Sequence, residues 1–312
     1  MIALTGYTGF VGQHLLELLN TTDCLLLGRN LLANYSHFDE FDLSQTNDLD
    51  LVSKLSKVDA LVHIAARVHI MNDDATDPLA EFRAINTDGT LNLAKQAAQA
   101  GVKRFIFVSS IKVNGESTTS KNPYTALDVP KPEDPYGISK AEAEQQLLEL
   151  GKQTGMEIVI IRPPLVYGEG VKANFASLMR FVGKGLPLPF RLMKNNKRSL
   201  VSVYNLVDLI KVCITHPKAA NQVFLASDDH DLSTAEMVAL MAKVQGKKNF
   251  ALPVPVWCFK LAGKLLNKSD VIDRLTGSLQ LDITHTKNTL DWKPPYSVEH
   301  GFKLAAKKPS TK

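Results

Sequence analysis

Short apolar runs alternate with stretches of helical periodicity through the first half of the chain. Met1–Thr5, Cys24–Leu27, Ala60–Ile64, Arg104–Ser109 and Glu157–Ile161 are nearly unbroken in hydrophobic residues. Phe10–Leu19, Pro78–Ala100 and Pro135–Gln153 instead place apolar residues at the three-to-four spacing of one helix face. Strands covered on both sides read as continuous apolar runs, and strands separated by helices cross over right-handedly into a parallel sheet. The pattern predicts an α/β fold, a doubly wound parallel sheet with helices on both faces. After Tyr167 the rhythm loosens, broken by Gly168, Gly170, Gly183, Gly185, Pro187 and Pro189. A dinucleotide-binding-sized first domain is expected over 1–167 and a smaller mixed α/β domain over 168–312, with 198–216 returning to the first. Residues 115–133 read as a polar loop, long enough to point to a function.

Composition narrows the class. Of 312 residues, 45% are hydrophobic and 22% charged, the balance of a chain that buries a core. The formal charge of +4 is spread along the sequence, and the basic patch at Lys194–Arg198 is short and free of aromatics. No sustained basic face exists for nucleic acid. Cys24, Cys213 and Cys258 lie far apart with no CxxC pair, which argues against a disulfide framework or a zinc site and for a reducing compartment. The apolar stretch 251–266 contains Pro253, Pro255, Lys260 and Lys264, so no membrane span is expected. A cytoplasmic protein fits these features.

The first run leads directly into Gly6-Tyr7-Thr8-Gly9-Phe10-Val11-Gly12 and then a helix. Glycines at this spacing allow a tight turn, close approach of a pyrophosphate to the backbone, and close helix–strand packing. Gly6, Thr8, Gly9, Phe10, Val11 and Gly12 are therefore expected to cradle a dinucleotide in a Rossmann-type fold, with the helix N-terminus facing the phosphates. The second run ends in Gly28-Arg29-Asn30, without the carboxylate that reads a ribose 2′-hydroxyl. An arginine there accommodates a 2′-phosphate, so Arg29 tilts the cofactor toward NADP, with NAD as the alternative. Asp42, followed by Leu43, is placed to meet the adenine.

Tyr136 and Lys140 stand four apart at the start of the helix that follows Pro135, which puts both on one face. A nearby ammonium and a positive nicotinamide favour phenolate, so the tyrosine pKa is expected to fall from about 10 toward neutrality. Ser110, at the end of the Arg104–Ser109 run, can hydrogen-bond the substrate oxygen that gains or loses the proton. Metal chemistry has no support, since the histidines form no HxH or HExxH spacing, and His63 reads as a packed structural histidine.

The ordered set of TGYTGFVG, VHIAAR, the Asn86 segment INTDGT, VSSIKVNG, YGISK and RPPLVYG resembles the extended short-chain dehydrogenase/reductase family. Its nucleotide-sugar epimerase, reductase and dehydratase branch is the nearest in motif. That resemblance implies that Ala65, Ala66 and Ser109 line the cofactor, that Asn86 supports the site, and that Pro163, Leu165 and Val166 pass the nicotinamide. It implies a UDP-sugar substrate: Asn174-Phe175 resembles the segment that meets the diphosphate, Arg198 the arginine that holds a phosphate, and Arg274 a second phosphate partner. Lys112 would also face the substrate. The Asp-Glu pair of the 4,6-dehydratases is replaced by Ile111-Lys112, which removes the general acid and base for eliminating water. Two chemistries at C4 remain. Arg29 favours 4-keto reduction of a UDP-4-keto-6-deoxy-N-acetylhexosamine in surface-polysaccharide biosynthesis; the alternative is 4-epimerisation of a UDP-hexose or UDP-N-acetylhexosamine. A ketone reductase of another substrate class or a non-catalytic cofactor-binding regulator would leave Arg198, Asn174, or the intact Tyr and Lys without purpose. The resemblance also implies a homodimer through the helices of 78–100 and 135–153.

Overall fold

The computed structural model describes residues 1–45, 50–68, 76–266 and 269–307. The chain runs through β1 (Ile2–Thr5), α1 (Phe10–Leu16), β2 (Cys24–Gly28), β3 (Phe38–Glu40), α2 (Val52–Leu55) and β4 (Ala60–His63). There follow α3 (Pro78–Phe82), a π-helical turn (Arg83–Gly89), α4 (Thr90–Gln99), β5 (Arg104–Val108), α5 (Pro135–Thr154) and β6 (Glu157–Arg162). Beyond these lie β7 (Leu165–Tyr167), α6 (Ala173–Gly183), β8 (Leu200–Ser202), α7 (Val203–Thr215) and β9 (Gln222–Leu225). The chain ends with α8 (Thr234–Val244), α9 (Val256–Leu265), α10 (Ser269–Thr276), α11 (Thr284–Leu290) and α12 (Val298–Ala305).

Seven strands form one parallel sheet in the order β3-β2-β1-β4-β5-β6-β9, the doubly wound arrangement expected. Side chains of a strand point alternately to its two faces. Leu4, Leu26, Val62, Ile106, Val159 and Ile161 accordingly pack on one side with α1 and α7. Ala3, Leu25, Leu27, Leu61, Phe105, Phe107 and Ile160 pack on the other with Leu93, Ala97, Ala143 and Leu147 of α4 and α5. A third cluster, built on Tyr167, Phe175, Met179, Met237, Met241 and Phe302, lies among β7, α6, α8 and α12.

The segment 198–216 meets the sheet as a helix. β8 pairs only with β7, α7 lies on the sheet through Leu206, Val207 and Ile210, and the strand that joins the edge is β9. The polar loop 115–133 is tied to residues 278–282: Thr118 N donates to Ser278 O at 2.8 Å, and Tyr124 N to Gln280 O at 2.8 Å. Leu279 N donates to Lys197 O at 2.9 Å and Ser199 N to Leu279 O at 2.8 Å. This ladder joins the loop beyond β5 to the segment just before β8 that carries Arg198.

Candidate active site

The turn between β1 and α1 is shaped by glycine. Gly6 has φ of +72°, and a Cβ there would lie 2.5 Å from Ala65 N. A Cβ on Gly12 would lie 2.2 Å from Gly6 O, so helix and strand approach as only glycine allows. Gly9, which caps α1, supplies no side-chain cap, and the first N–H groups of the helix stay available. The Ser109 hydroxyl is buried with no hydrogen-bond partner in the protein. An uncapped helix start, a turn closed to any Cβ and an orphaned hydroxyl at the β5 end together fit a bound dinucleotide. Tyr7, which the motif reading passed over, is buried: its hydroxyl donates to Asn30 O and its ring fills the space beside Gly28. Tyr7 thus ties the turn to the end of β2, where Arg29 is exposed. The Asp42 carboxylate accepts from Ser44 N at 2.9 Å and Ser44 Oγ at 2.7 Å. Those bonds hold its pKa below the ordinary value, and the nearby charge of Arg29 adds to the effect. Leu43 is buried, and its carbonyl would meet a Cβ on Gly89 at 2.5 Å. Ala65, Ala66 and Val166 are half-buried at the strand ends, and Pro163 O accepts from Ile111 N at 3.0 Å.

The sheet's β5 end and the start of α5 bring Ser110, Tyr136 and Lys140 together. Pro135 is suited to the first helical position, and Asp134 caps the helix by accepting from Gly137 N at 2.7 Å. Ser110 caps a short turn over Ile111–Val113, its Oγ accepting from Lys112 N at 3.3 Å, and lies close enough to Tyr136 to pull its pKa down. Phe82 packs edge-on to the Tyr136 ring at 5.9 Å. Lys140 is buried; its Nζ donates to Val108 O at 2.9 Å and lies 4.2 Å from the centre of the Phe107 ring. On the far side of that ring His63 is stacked at 5.8 Å, its two ring nitrogens bonded to Thr5 and Thr90. Burial, and secondarily Lys140, lowers its pKa to about 3, as befits a packed neutral histidine.

The protein's own side chains do not by themselves lower the phenol pKa. Burial, reinforced by Asp134, pushes the Tyr136 pKa up to about 12, against the pull of Ser110. Burial brings Lys140 down to about 7, opposed by Glu144. A lysine whose own charge is this expensive does not by itself make a phenolate; the positive charge must come from elsewhere. Glu144 is held by a buried fork with Arg162, whose Nη1 also reaches Asn114 Oδ1 at 2.9 Å. Asn86 is fully buried and spends its amide on Arg67 N, Arg67 O and Ser139 Oγ. It therefore braces α5.

On the substrate side, Lys112 is held by carboxylates, bonding Glu116 Oε1 at 3.1 Å and the capping Asp134. Glu116 also pairs with Arg274 Nη2 at 3.5 Å, and Arg198 Nη1 donates to Arg274 O at 2.8 Å. The two guanidiniums repel enough that burial and Arg274 together lower the Arg198 pKa. Asn174 is exposed on α6, while Phe175 stacks on Tyr167 at 5.2 Å and packs edge-on to Phe302. Phe175 is a core residue of the third cluster, a correction to its expected substrate contact: adjacent helix positions point to different faces. Among the described residues no group of His, Cys, Asp and Glu side chains could hold a metal. No helix of the described residues is long and apolar enough to cross a membrane.

A family model described as the NAD dependent epimerase/dehydratase family matches residues 2–226. Over 310 residues the chain is 55% identical to a Vibrio cholerae protein named UDP-glucose 4-epimerase, with 98% of this chain and 94% of that protein covered. It is 28% identical to an Escherichia coli protein named N-acetyl-alpha-D-glucosaminyl-diphospho-ditrans,octacis-undecaprenol 4-epimerase, covering 96% of this chain and 92% of that one. The fold is that of the crystal structure of UDP-N-acetylglucosamine 4-epimerase from Bacillus cereus, at a TM-score of 0.79, 21% identity, and coverage of 98% and 97%.

Proposed function

This chain belongs to the NAD dependent epimerase/dehydratase family, and from that premise we propose that it is a UDP-hexose or UDP-N-acetylhexosamine 4-epimerase working with a retained NAD. The likeness that carries the choice is the 55% identity, nearly end to end, with a relative named UDP-glucose 4-epimerase. It outweighs the 4-keto reduction that Arg29 had favoured. The nearby carboxylate of Asp42, close enough to feel the Arg29 charge, supports NAD over NADP.

When bound, the oxidised nicotinamide would supply the hydride acceptor for C4 and the positive charge beside the Tyr136 phenol. The glycine turn and the α1 start would hold its pyrophosphate, with Ala65, Ala66, Pro163 and Val166 along its length. Tyr136 takes the proton of the C4 hydroxyl and returns it after the 4-keto ring has presented its other face. Ser110, beside Tyr136, holds the same sugar oxygen. Lys140 keeps positive charge on the cofactor side, helped by Glu144. Arg198 and Arg274 grip the diphosphate, for which the planar guanidinium fork is suited, and Asn174 meets it from α6. The division at Tyr167 into a cofactor half and a substrate half belongs to the same proposal. The test is to incubate the purified enzyme with UDP-glucose, and separately UDP-N-acetylglucosamine, with no added cofactor. Appearance of the C4 epimer by NMR is expected. NADPH-dependent reduction of a UDP-4-keto sugar, with neither epimer formed, would overturn it.

A further inference from the structure

Helix α9 carries an apolar stripe that nothing among the described residues covers. Trp257, Leu261 and Leu265 recur every four residues and so share one side of the helix. They are 66%, 52% and 77% exposed. Leu266, next to Leu265, and Val271, on the adjoining α10, are also exposed. The opposite side is the anchored one. Phe259 stacks on Phe190 at 6.0 Å, Gly263 is buried, and Leu188 and Leu252 are joined by a backbone bond of 2.7 Å. Single exposed leucines are ordinary on a protein surface, whereas a contiguous row headed by tryptophan marks an interaction face.

Charge decides what that face meets. From Lys247 to Lys268 the sequence has five lysines and no aspartate or glutamate. Lys247, Lys248, Lys260 and Lys264 are exposed, and the last two adjoin Leu261 and Leu265 on the helix. A short basic helix with an outward Trp/Leu stripe lies in the plane of a membrane surface, its apolar side at the acyl boundary and its lysines among anionic headgroups. A second copy of this chain fits less well, because an isologous contact would set these lysines against themselves.

We infer that α9 docks the enzyme on an anionic lipid surface. α10, which carries Arg274, packs on α9, so docking holds the arginine side of the site near the bilayer. Only two tryptophans are present, and Trp292 is 4% exposed, so a lipid-induced change in emission reports on Trp257. The full-length protein should pellet with vesicles of phosphatidylglycerol and phosphatidylethanolamine, with a blue shift of emission, and should stay in solution with phosphatidylcholine alone. Lys260→Glu with Lys264→Glu should weaken vesicle binding at least about fivefold per lysine. Leu261→Asp with Leu265→Asp should abolish it while leaving vesicle-free activity and thermal melting unchanged. Wild-type protein that fails to pellet with anionic vesicles would overturn the inference. So would a blue shift that needs no lipid and grows with protein concentration alongside a dimer in sedimentation, since the face would then belong to a second copy.

Discussion

Lys140 and Lys112 both meet the first turns of α5, and the structure treats them in opposite ways. Lys140 is buried against Phe107 and Val108 O, with its pKa drawn down to about 7 by the loss of water. Lys112 is half-exposed and lies between two carboxylates, Glu116 and Asp134. Around the first, two buried pairs are held in fixed geometry, Asn86 on Ser139 and Arg162 on Glu144. Around the second, charges exchange partners, and Glu116 satisfies Lys112 and Arg274 at once. The buried side sets where a proton can go. The open side can trade a carboxylate for a substrate diphosphate without dismantling the fold.

Mutations should divide along that line. Tyr136→Phe removes the proton carrier and should lower kcat by about 10² to 10⁴ with melting unchanged, since general acid–base groups contribute on that scale. Retention of a tenth of wild-type turnover would break the assignment. Lys140→Met should cut both turnover and cofactor affinity, yet stabilise the cofactor-free protein. Between pH 7 and 10.5 the unfolded chain holds a proton on Lys140 that the folded chain gives up, so this group destabilises the folded state fully below about pH 7 and less as pH rises toward 10.5. A gain of about 2 kcal/mol at pH 7, shrinking at pH 10, is expected in chemical denaturation, the full shift being reduced by the lost bond to Val108 O. No pH dependence of that gain would contradict a depressed lysine.

On the open side, Arg198→Ala should raise KM for UDP-glucose and the UDP inhibition constant roughly ten- to a hundredfold, the scale of one charged hydrogen bond, with cofactor affinity unchanged. Remote binding also positions the sugar, so a smaller loss of kcat should accompany it. The gentlest change is Glu116→Gln. If the diphosphate takes the place of Glu116 on Arg274, UDP should inhibit a few-fold more tightly, in keeping with the modest worth of exposed ion pairs. Weaker inhibition would show that Glu116 instead holds Arg274 ready.

The same contrast separates what could be read from residues alone. β1, β2, β4, β5 and β6 are buried on both faces, and their unbroken apolar runs announced them. β3 and β9 are short edge strands, with Asp39, Glu40 and Gln222 among them, and their pattern carries no such signal. The glycine turn and the Tyr136–Lys140 pair depend on local spacing and were legible. Asp134 before Pro135 is an N-terminal helix signature that announces a cap, though not its pairing with Lys112. Nothing in sequence joins Glu116 to Arg274, which meet only because residues 278–282 are laced to the 115–125 loop. The phenol's raised pKa in the protein alone was not legible for a related reason: helical spacing reports which groups are neighbours, and burial decides which of them keeps its charge.

The nucleotide carried by the enzyme tests the epimerase reading most directly. An epimerase returns the hydride it removed and has no need to exchange its cofactor, whereas a reductase must release the oxidised form each turn. Purified protein should be denatured and the released nucleotides separated by chromatography. Near-stoichiometric NAD, together with C4 interconversion that needs no added cofactor, is the predicted result. A protein that releases no nucleotide, and that acts only when NADPH is supplied and consumed, would contradict it.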